Sequence, residues 1–123
     1  MRKFIPCVIL ILLLPAISYA QPAIEFDSES YNAGTTAQGD IVEHTFKFTN
    51  KGDEDLLIEK VTSSWGCTAV VASSSRLKPG ETGNIDAKVY TKGKIGSISK
   101  GINVISNDPK RQSVRLSIKT TIE

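Results

Sequence analysis

The stretch that decides the fold class is IVEHTFKFT, residues 41–49. In an extended chain, Val42, His44, Phe46 and Phe48 lie on one face. The residues between them are polar and lie on the other face. This period of two is typical of a half-buried β-strand. The polar run that follows, residues 50–55, contains a glycine and is typical of a turn.

The rest of the chain repeats this arrangement. Short runs rich in Val, Ile, Thr and Phe are separated by Gly, Pro, Asn and Asp clusters roughly every ten residues, and residues 31–34 and 78–81 are predicted turns. The predicted strands are 23–26, 41–49, 56–62, 67–72, 84–91, 98–106 and 114–118. We therefore predict an all-β, immunoglobulin-like antiparallel β-sandwich of about seven strands. Its predicted core consists of Phe26, Phe46, Phe48, Leu56, Ile58, Ile85, Val89, Val104, Leu116 and Ile118.

The first twenty residues are typical of a secretory signal peptide. Arg2 and Lys3 precede an apolar run at 4–17, and small residues at 18 and 20 suit cleavage after Ala20. The apolar run is shorter than the roughly 18 residues expected of a membrane-spanning helix. We therefore predict a leader at 1–20, one domain at 21–123, no integral membrane segment after cleavage, and export to a periplasm or the cell exterior.

Charge argues against a nucleic-acid partner. The chain has 15 Lys and Arg against 13 Asp and Glu, and Arg2 and Lys3 belong to the predicted leader. The remaining chain balances 13 basic against 13 acidic residues. Nucleic-acid-binding domains normally carry a clear basic excess, so we predict that nucleic acid is not the partner.

Cysteine usage limits the chemistry further. Cys7 lies in the predicted leader, so Cys67 remains alone and cannot form an intramolecular disulfide. Besides carboxylates, His44 is the other residue available as a metal ligand, and we predict neither a metal nor a cofactor. We interpret Cys67 as a buried thiol. The alternatives are an intermolecular disulfide, or a small periplasmic metal or redox accessory protein that acts through Cys67.

No catalytic arrangement is present in the sequence. No serine lies in a G-x-S-x-G motif, and Asp53 and Asp55 lie in a turn, where solvation accounts for them. We interpret His44 as a structural residue at the edge of the inward face, or half exposed. The sequence therefore predicts a protein that is not an enzyme.

Three lysines lie in a glycine-rich segment, at Lys92, Lys94 and Lys100. One interpretation is an anion-binding or surface-adhering hairpin. The interpretation that we favour is a solvated loop whose lysines discourage edge-to-edge aggregation. The glycines match no phosphate-binding spacing.

Five motifs, taken in order, resemble the bacterial secreted family called domain of unknown function 1573. They are FKFTNKG at 46–52 with LLI at 56–58, SWGCT at 64–68, LKPGE at 77–81, Gly96, and VISNDP at 104–109. The resemblance covers residues 23–122. It implies an immunoglobulin-like domain similar to those of the major sperm protein and Hydin groups, with no assigned function. The family usually has S-C-G-C-T where this chain has SWGCT, so Trp65 replaces the first cysteine and removes a paired-thiol role.

The segment Trp65, Gly66 and Cys67 is accordingly the candidate interaction or thiol site. Trp65 is either a core residue or a binding anchor on a loop. Our hypothesis is that it packs over Cys67 and shields the thiol, and that Gly66 adopts a backbone conformation that a Cβ would hinder. The predicted function is a non-catalytic interaction module that presents a sheet edge or a loop surface to an unknown protein partner.

Overall fold

The computed structural model describes residues 20–123, so the predicted leader lies outside the described residues except for Ala20. The strands in chain order are β1 (Ile24–Phe26), β2 (Ser30–Thr36), β3 (Ile41–Asn50), β4 (Leu56–Ser63), β5 (Cys67–Val71), β6 (Arg76–Leu77), β7 (Thr82–Tyr90), β8 (Gly96–Ser106) and β9 (Ser113–Ile122). Within this part of the chain, no helix has the length and apolar character needed to cross a membrane.

The strands form two sheets that pack face to face. One sheet has the order β1-β3-β7-β5, and the other has the order β2-β9-β8-β4-β6. Neighbouring strands run antiparallel except for β2 and β9, which are parallel. The predicted β-sandwich is therefore confirmed, with one parallel pair and with two strands more than the sequence indicated.

The core lies between the sheets and follows the period of two. Along β7, for example, buried and exposed residues alternate without a break. All ten predicted core residues are buried. Further apolar residues outside the predicted core list are also buried, namely Ile24, Val42, Leu77, Ala87, Ile102, Val114 and Ile122.

The predicted turn at 31–34 is wrong, because these residues belong to β2. This strand lacks apolar alternation and carries turn-forming residues instead: the Gly34 N–H donates to Asn32 Oδ1 over 2.9 Å, and the pairing with β9 shifts register between Asn32 and Thr35. The structure thus has a bulge where the sequence suggested a reversal of the chain. β2 is a strand because β9 supplies its pairing partner, and local sequence does not show this.

The loops gather at two opposite ends of the sandwich. We call loops 37–40, 64–66 and 91–95 the Trp65 end. Hydrogen bonds join two of these loops, since Gln38 Nε2 donates to the Lys94 carbonyl and the Gly39 N–H donates to Thr91 Oγ1. Loops 51–55, 78–81 and 107–112 form the other end, which we call the polar end.

Buried side chains hold the polar end together. Asn50 is 1% exposed; its Nδ2 donates to the carbonyls of Glu54 and Leu77 at 2.7 and 3.1 Å, and its Oδ1 accepts from the N–H groups of Gly52 and Ala23. This one amide therefore connects loop 51–55 with β6 and with the start of β1.

Asp108 has a similar role in the next loop. It is 3% exposed, and its Oδ2 accepts a 2.9 Å hydrogen bond from the Ile24 N–H. Its Oδ1 accepts from the N–H groups of Lys110 and Arg111. Asn50 and Asp108 thus provide side-chain partners for backbone groups of loops 51–55 and 107–112. Loop 78–81 is held by a backbone hydrogen bond, from the Gly80 N–H to the Asn50 carbonyl.

Candidate functional site

The segment that the sequence singled out forms a tight turn between β4 and β5. The Cys67 N–H donates to the Ser64 carbonyl over 3.1 Å, and Gly66 has a φ of 81°. A positive φ at the third position is the requirement of a type II turn, and glycine meets it without steric cost. The predicted need for glycine at position 66 is confirmed.

Hydrogen bonds to two other strands fix this turn. The Ser64 N–H and Oγ both donate to the Gly101 carbonyl of β8, and the Gly101 N–H donates back to Ser64 Oγ over 2.7 Å. On the other side, the Tyr90 N–H of β7 donates to the Gly66 carbonyl. The turn is therefore anchored to both sheets.

Trp65 occupies the second position of the turn and points outward. Its side chain is 88% exposed, so the interpretation of Trp65 as a core residue is wrong, and so is the hypothesis that it shields Cys67. The physical reason is that the second position of a turn anchored at both neighbours projects away from the sheets. Trp65 is therefore a surface residue held on a rigid loop.

Cys67 lies in the interior, as predicted. It is 6% exposed and belongs to the hydrophobic core cluster. Desolvation by burial raises the pKa of the Cys67 thiol, and the charges of Lys100 and Lys94 oppose that rise. The thiol therefore stays protonated at neutral pH, which makes it a poor nucleophile and a poor metal ligand.

Two lysines surround the turn. Lys100 Nζ donates to the Trp65 carbonyl over 2.8 Å, and Lys94 Nζ lies 5.6 Å from the centroid of the Trp65 ring, which is within the range of a cation–π contact. Among the described residues, Lys94 Nζ has no hydrogen-bond partner and no appreciable solvent contact. Desolvation, followed by the charge of Lys100, lowers the pKa of Lys94. A Cβ at Gly66 would collide with Lys94 Nζ.

Further apolar side chains are exposed at the same end. Ile95 is 76% exposed and follows Lys94 directly, while Ile41 and Tyr90 are 53% and 41% exposed and face each other across the β3–β7 pair. Because the Tyr90 N–H bonds Gly66, this pair adjoins the Trp65 turn. We call Trp65, Ile95, Tyr90 and Ile41 the Trp65 patch.

A second feature begins at the same turn: β5 is an open edge of its sheet. It pairs with β7 on one side, where Thr68 and Val70 stand opposite Lys88 and Asp86. The bonds that flank the strand, Tyr90 N–H to the Gly66 carbonyl and Ala72 N–H to the Asn84 carbonyl, show that even-numbered residues bond β7. By alternation, the backbone groups of Ala69 and Val71 point to the open side.

The other sheet edges in residues 20–123 are short, interrupted or charged. β1 has three residues and β6 has two. β2 is interrupted by its register shift. β4 is covered by β6 only at Leu56 and Leu57, and the uncovered part contains the charged residues Glu59 and Lys60. β5, with the sequence CTAVV, contains no charge, proline or glycine. Proteins normally protect an edge by such devices, and β5 has none of them.

His44 is structural. Its ring stacks on Tyr31 with centroids 3.8 Å apart and meets the edge of Phe46 at 4.6 Å. Burial lowers the pKa of the His44 imidazole. His44 is half-buried, which confirms the prediction that it lies half exposed at the edge of the inward face.

The acidic turn at the polar end is also structural. Asp53 Oδ1 accepts from the Gln21 N–H over 2.7 Å, and Asp55 forms an exposed ion pair with Arg76 at 3.2 Å. In the region covered by the structure, no group of three or more His, Cys, Asp or Glu side chains is arranged to hold a metal ion.

A family comparison agrees with the motifs. The family described as "Protein of unknown function (DUF1573)" matches residues 24–122. The chain belongs to this family. No curated protein matches it.

Solved structures share the fold of this DUF1573 domain. A protein of unknown function from Porphyromonas gingivalis W83 is 26% identical with a TM-score of 0.74, and the match covers 89% of this chain and 51% of that one. The chain thus spans about half the length of that protein. The ASH/PapD-like domain 7 of human CEP192 is 13% identical with a TM-score of 0.65, over 89% and 91% of the two chains.

The YadV chaperone is 18% identical with a TM-score of 0.54, over 81% of this chain and 52% of its own. At this identity, CEP192 and YadV show the fold alone. Both share the fold of the DUF1573 domain.

The sequence predicted the turn of this DUF1573 domain but not the residues that surround it. Trp65, Gly66 and Cys67 are consecutive, so their proximity was certain, but their side chains separate: the thiol enters the core and the indole leaves it. The contribution of Ile95 and Tyr90 was not predicted. One available signal was the isolated isoleucine in a turn of glycines and lysines, where an apolar side chain has no core to enter.

Proposed function

We propose that this DUF1573 domain is an exported, non-catalytic module that binds an extended segment of a partner protein along the open edge of β5. The observation that carries the proposal is the absence of any protecting device on this edge, although the other edges have them. A peptide strand added to a sheet edge obtains its affinity from backbone hydrogen bonds and its selectivity from side-chain contacts.

The edge offers both kinds of contact. The outward N–H and carbonyl groups of Ala69 and Val71 would pair with the incoming strand, while the corresponding groups of Cys67 already bond Ser64 and Ser63. Ala69 and Val71 are partly buried and pack against the core. An added strand would complete their burial, which stabilises the complex through the hydrophobic effect.

The outward face determines which strand fits. Val70 is 60% exposed, beside Thr68 in its own strand and opposite Asp86 in β7. A partner strand with an apolar or β-branched residue beside Val70 would form a favourable cross-strand pair. We therefore expect a partner segment rich in Val, Ile and Thr.

The location of this binding is an expectation from the leader. Residues 1–20 have the pattern of a signal peptide, so the partner would belong to the cell envelope or the exterior. The similarity in fold to a PapD-like domain and to a chaperone supports a protein-binding role, although a shared fold by itself does not establish one. A reporter fused to residues 1–20 should be exported, and its retention in the cytoplasm would refute this part.

The alternative, a metal or redox accessory protein acting through Cys67, has less support. The thiol is buried and its pKa is raised, and neither feature favours metal binding or thiol exchange. Stoichiometric zinc or copper binding by the purified protein would reverse this order.

The edge is tested by Ala69→Pro. Proline removes the N–H that points to the open side and leaves the bonds to β7 intact, so the fold should persist while strand addition fails. Proteins of the native host retained by the immobilised wild-type domain would be identified by mass spectrometry. The affinity of each would then be measured for Ala69→Pro and for a matched control, Ile41→Lys, on the outward face of β3, which β7 separates from β5.

We expect Ala69→Pro to weaken binding of the true partner by tenfold or more, and Ile41→Lys to change it little. Hydrogen exchange at the amides of Ala69 and Val71 should slow in the complex. A partner that binds Ala69→Pro as well as the wild type would refute the edge as the site. Self-association that Ala69→Pro abolishes would identify the partner as a second copy.

A further inference from the structure

The Trp65 patch is exposed in a folded part of the molecule whose turns are hydrogen-bonded. Its two most exposed members, Trp65 and Ile95, come from separate turns, 64–66 and 91–95. Hydrogen bonds stabilise both turns: Ser64 Oγ donates to the Gly101 carbonyl of β8, and the Lys94 N–H donates to the Thr91 carbonyl. Large apolar side chains held outward in this way indicate an interaction surface.

Positive charge surrounds this patch. Lys92 and Lys94 lie in the same turn as Ile95, and Lys100 reaches the backbone of Trp65. The acidic residues at this end are Asp40 in loop 37–40 and Glu123, whose carbonyl accepts from the Gln38 N–H; loops 64–66 and 91–95, which carry Trp65 and Ile95, contain no acidic residue. The surface that binds the Trp65 patch should therefore be anionic as well as able to accept apolar side chains.

The shape of the patch argues against a small ligand or a pocket-forming partner. Trp65, Ile95, Tyr90 and Ile41 line none of the three cavities described in residues 20–123. Ligand sites are normally concave. Here the apolar side chains project from the tips of turns, so the complementary surface must be deformable enough for them to insert. The surface of a fluid bilayer has this property.

We propose that the Trp65 patch docks this domain on the surface of a bilayer that contains anionic phospholipids. Trp65 and Ile95 enter the boundary between head groups and acyl chains, where tryptophan is favoured because its ring is apolar with one polar N–H. Lys92, which is exposed in the same turn, and Lys100 attract the phosphate groups. Tyr90 and Ile41 lie behind the tip and contact the head-group layer.

This docking is independent of the proposed partner site. β5 starts at the Trp65 turn and runs away from it, so the open backbone groups of Ala69 and Val71 stay accessible while the tip contacts lipid. A domain with both features would present its edge strand close to a membrane.

Trp65 is the sole tryptophan of the chain, so its fluorescence reports on the patch directly. The exported protein would be mixed with vesicles of phosphatidylglycerol and phosphatidylcholine in equal parts, and with vesicles of phosphatidylcholine alone. With the anionic vesicles we expect a blue shift of Trp65 emission, protection from iodide quenching, and loss of both in high salt. With phosphatidylcholine alone we expect a much smaller effect.

Variants separate the patch from other causes of binding. Ile95→Ser retains the reporter and should weaken partitioning by about tenfold, because an inserted isoleucine is lost. Val70→Ser, at an exposed apolar residue outside the patch, is the matched control and should bind like the wild type. Lys92→Glu should weaken binding to the anionic vesicles alone. All variants share the same N-terminus, so any uncleaved leader affects them equally.

The proposal fails if Trp65 emission is unchanged with anionic vesicles while circular dichroism shows a folded β protein. It also fails if Ile95→Ser and Val70→Ser bind equally. An emission shift produced by polyglutamate but not by vesicles would replace the bilayer with an acidic protein surface. None of these outcomes affects the result expected for Ala69→Pro, so the edge site of β5 is tested independently of the Trp65 patch.

Discussion

The two ends of this sandwich treat their side chains in opposite ways. At the polar end, Asn50 and Asp108 are buried and bond the backbone of the loops around them. At the Trp65 end, hydrogen bonds to the backbone fix the turns, and the large side chains of Trp65 and Ile95 are exposed to solvent. The difference teaches that equally well-defined loops can either bury their side chains or leave them exposed. Order in a loop is therefore not a sign that its side chains stabilise the fold.

The largest expected effect tests the polar end. Asn50→Ala should lower the free energy of unfolding by about 3 kcal/mol, because it leaves buried donors and acceptors of several loops without partners. Urea denaturation followed by circular dichroism measures this change. If Asn50→Ala destabilises the domain no more than Trp65→Ala does, the claim that the two ends contribute differently to stability is contradicted.

The next effect tests the backbone of the Trp65 end. Gly66→Ala should cost about 1–2 kcal/mol, because a side chain is unfavourable at positive φ. It also brings a Cβ against Lys94 Nζ. Gly93→Ala is the matched control, since Gly93 has a φ of 76° and nothing within 4 Å of an added Cβ. A larger loss for Gly66→Ala than for Gly93→Ala isolates the lysine contact, and equal losses would show that Lys94 simply moves aside.

A smaller effect concerns pH. Burial lowers the pKa of His44 below its unfolded value, so the folded state favours the neutral ring. This contribution to stability is present above the unfolded pKa of 6.5 and is lost as the pH falls through the folded pKa. Denaturation midpoints should decline from pH 8 to pH 5, and His44→Gln should flatten that part of the profile. An unchanged profile would mean that protonated His44 is accommodated between Tyr31 and Phe46.

The smallest effect is expected at the residue that is most exposed. Trp65→Ala should change the free energy of unfolding by only about 0.5 kcal/mol, because the indole is exposed and contributes little beyond its cation–π contact with Lys94. Labelling of Cys67 by Ellman's reagent should be slow in the native state and fast in denaturant, at rates that Trp65→Ala does not change. Faster native labelling of Trp65→Ala would restore a shielding role for the indole and weaken the contrast between the ends.

Much of the fold could be predicted because burial in a sandwich follows a period of two. The alternation around Phe46 and Phe48, and again around Ile85 and Val89, identified strands and core together. β2 escaped prediction because its pairing with β9 overrides turn chemistry at Asn32 and Gly34. A strand whose partner lies far along the chain leaves no local signal when its own pattern is polar.

The sequence by itself determined the sandwich, the buried position of Cys67 and the need for glycine at position 66. These properties depend on hydrophobic periodicity and on local backbone geometry, and both are contained in short stretches of chain. Tertiary structure alone decided that Trp65 points outward, that Ile95 and Tyr90 join it, and that β5 is an open edge. Those properties depend on which strands are neighbours and on where separate turns meet, because exposure is set by what the rest of the fold places, or does not place, against a side chain.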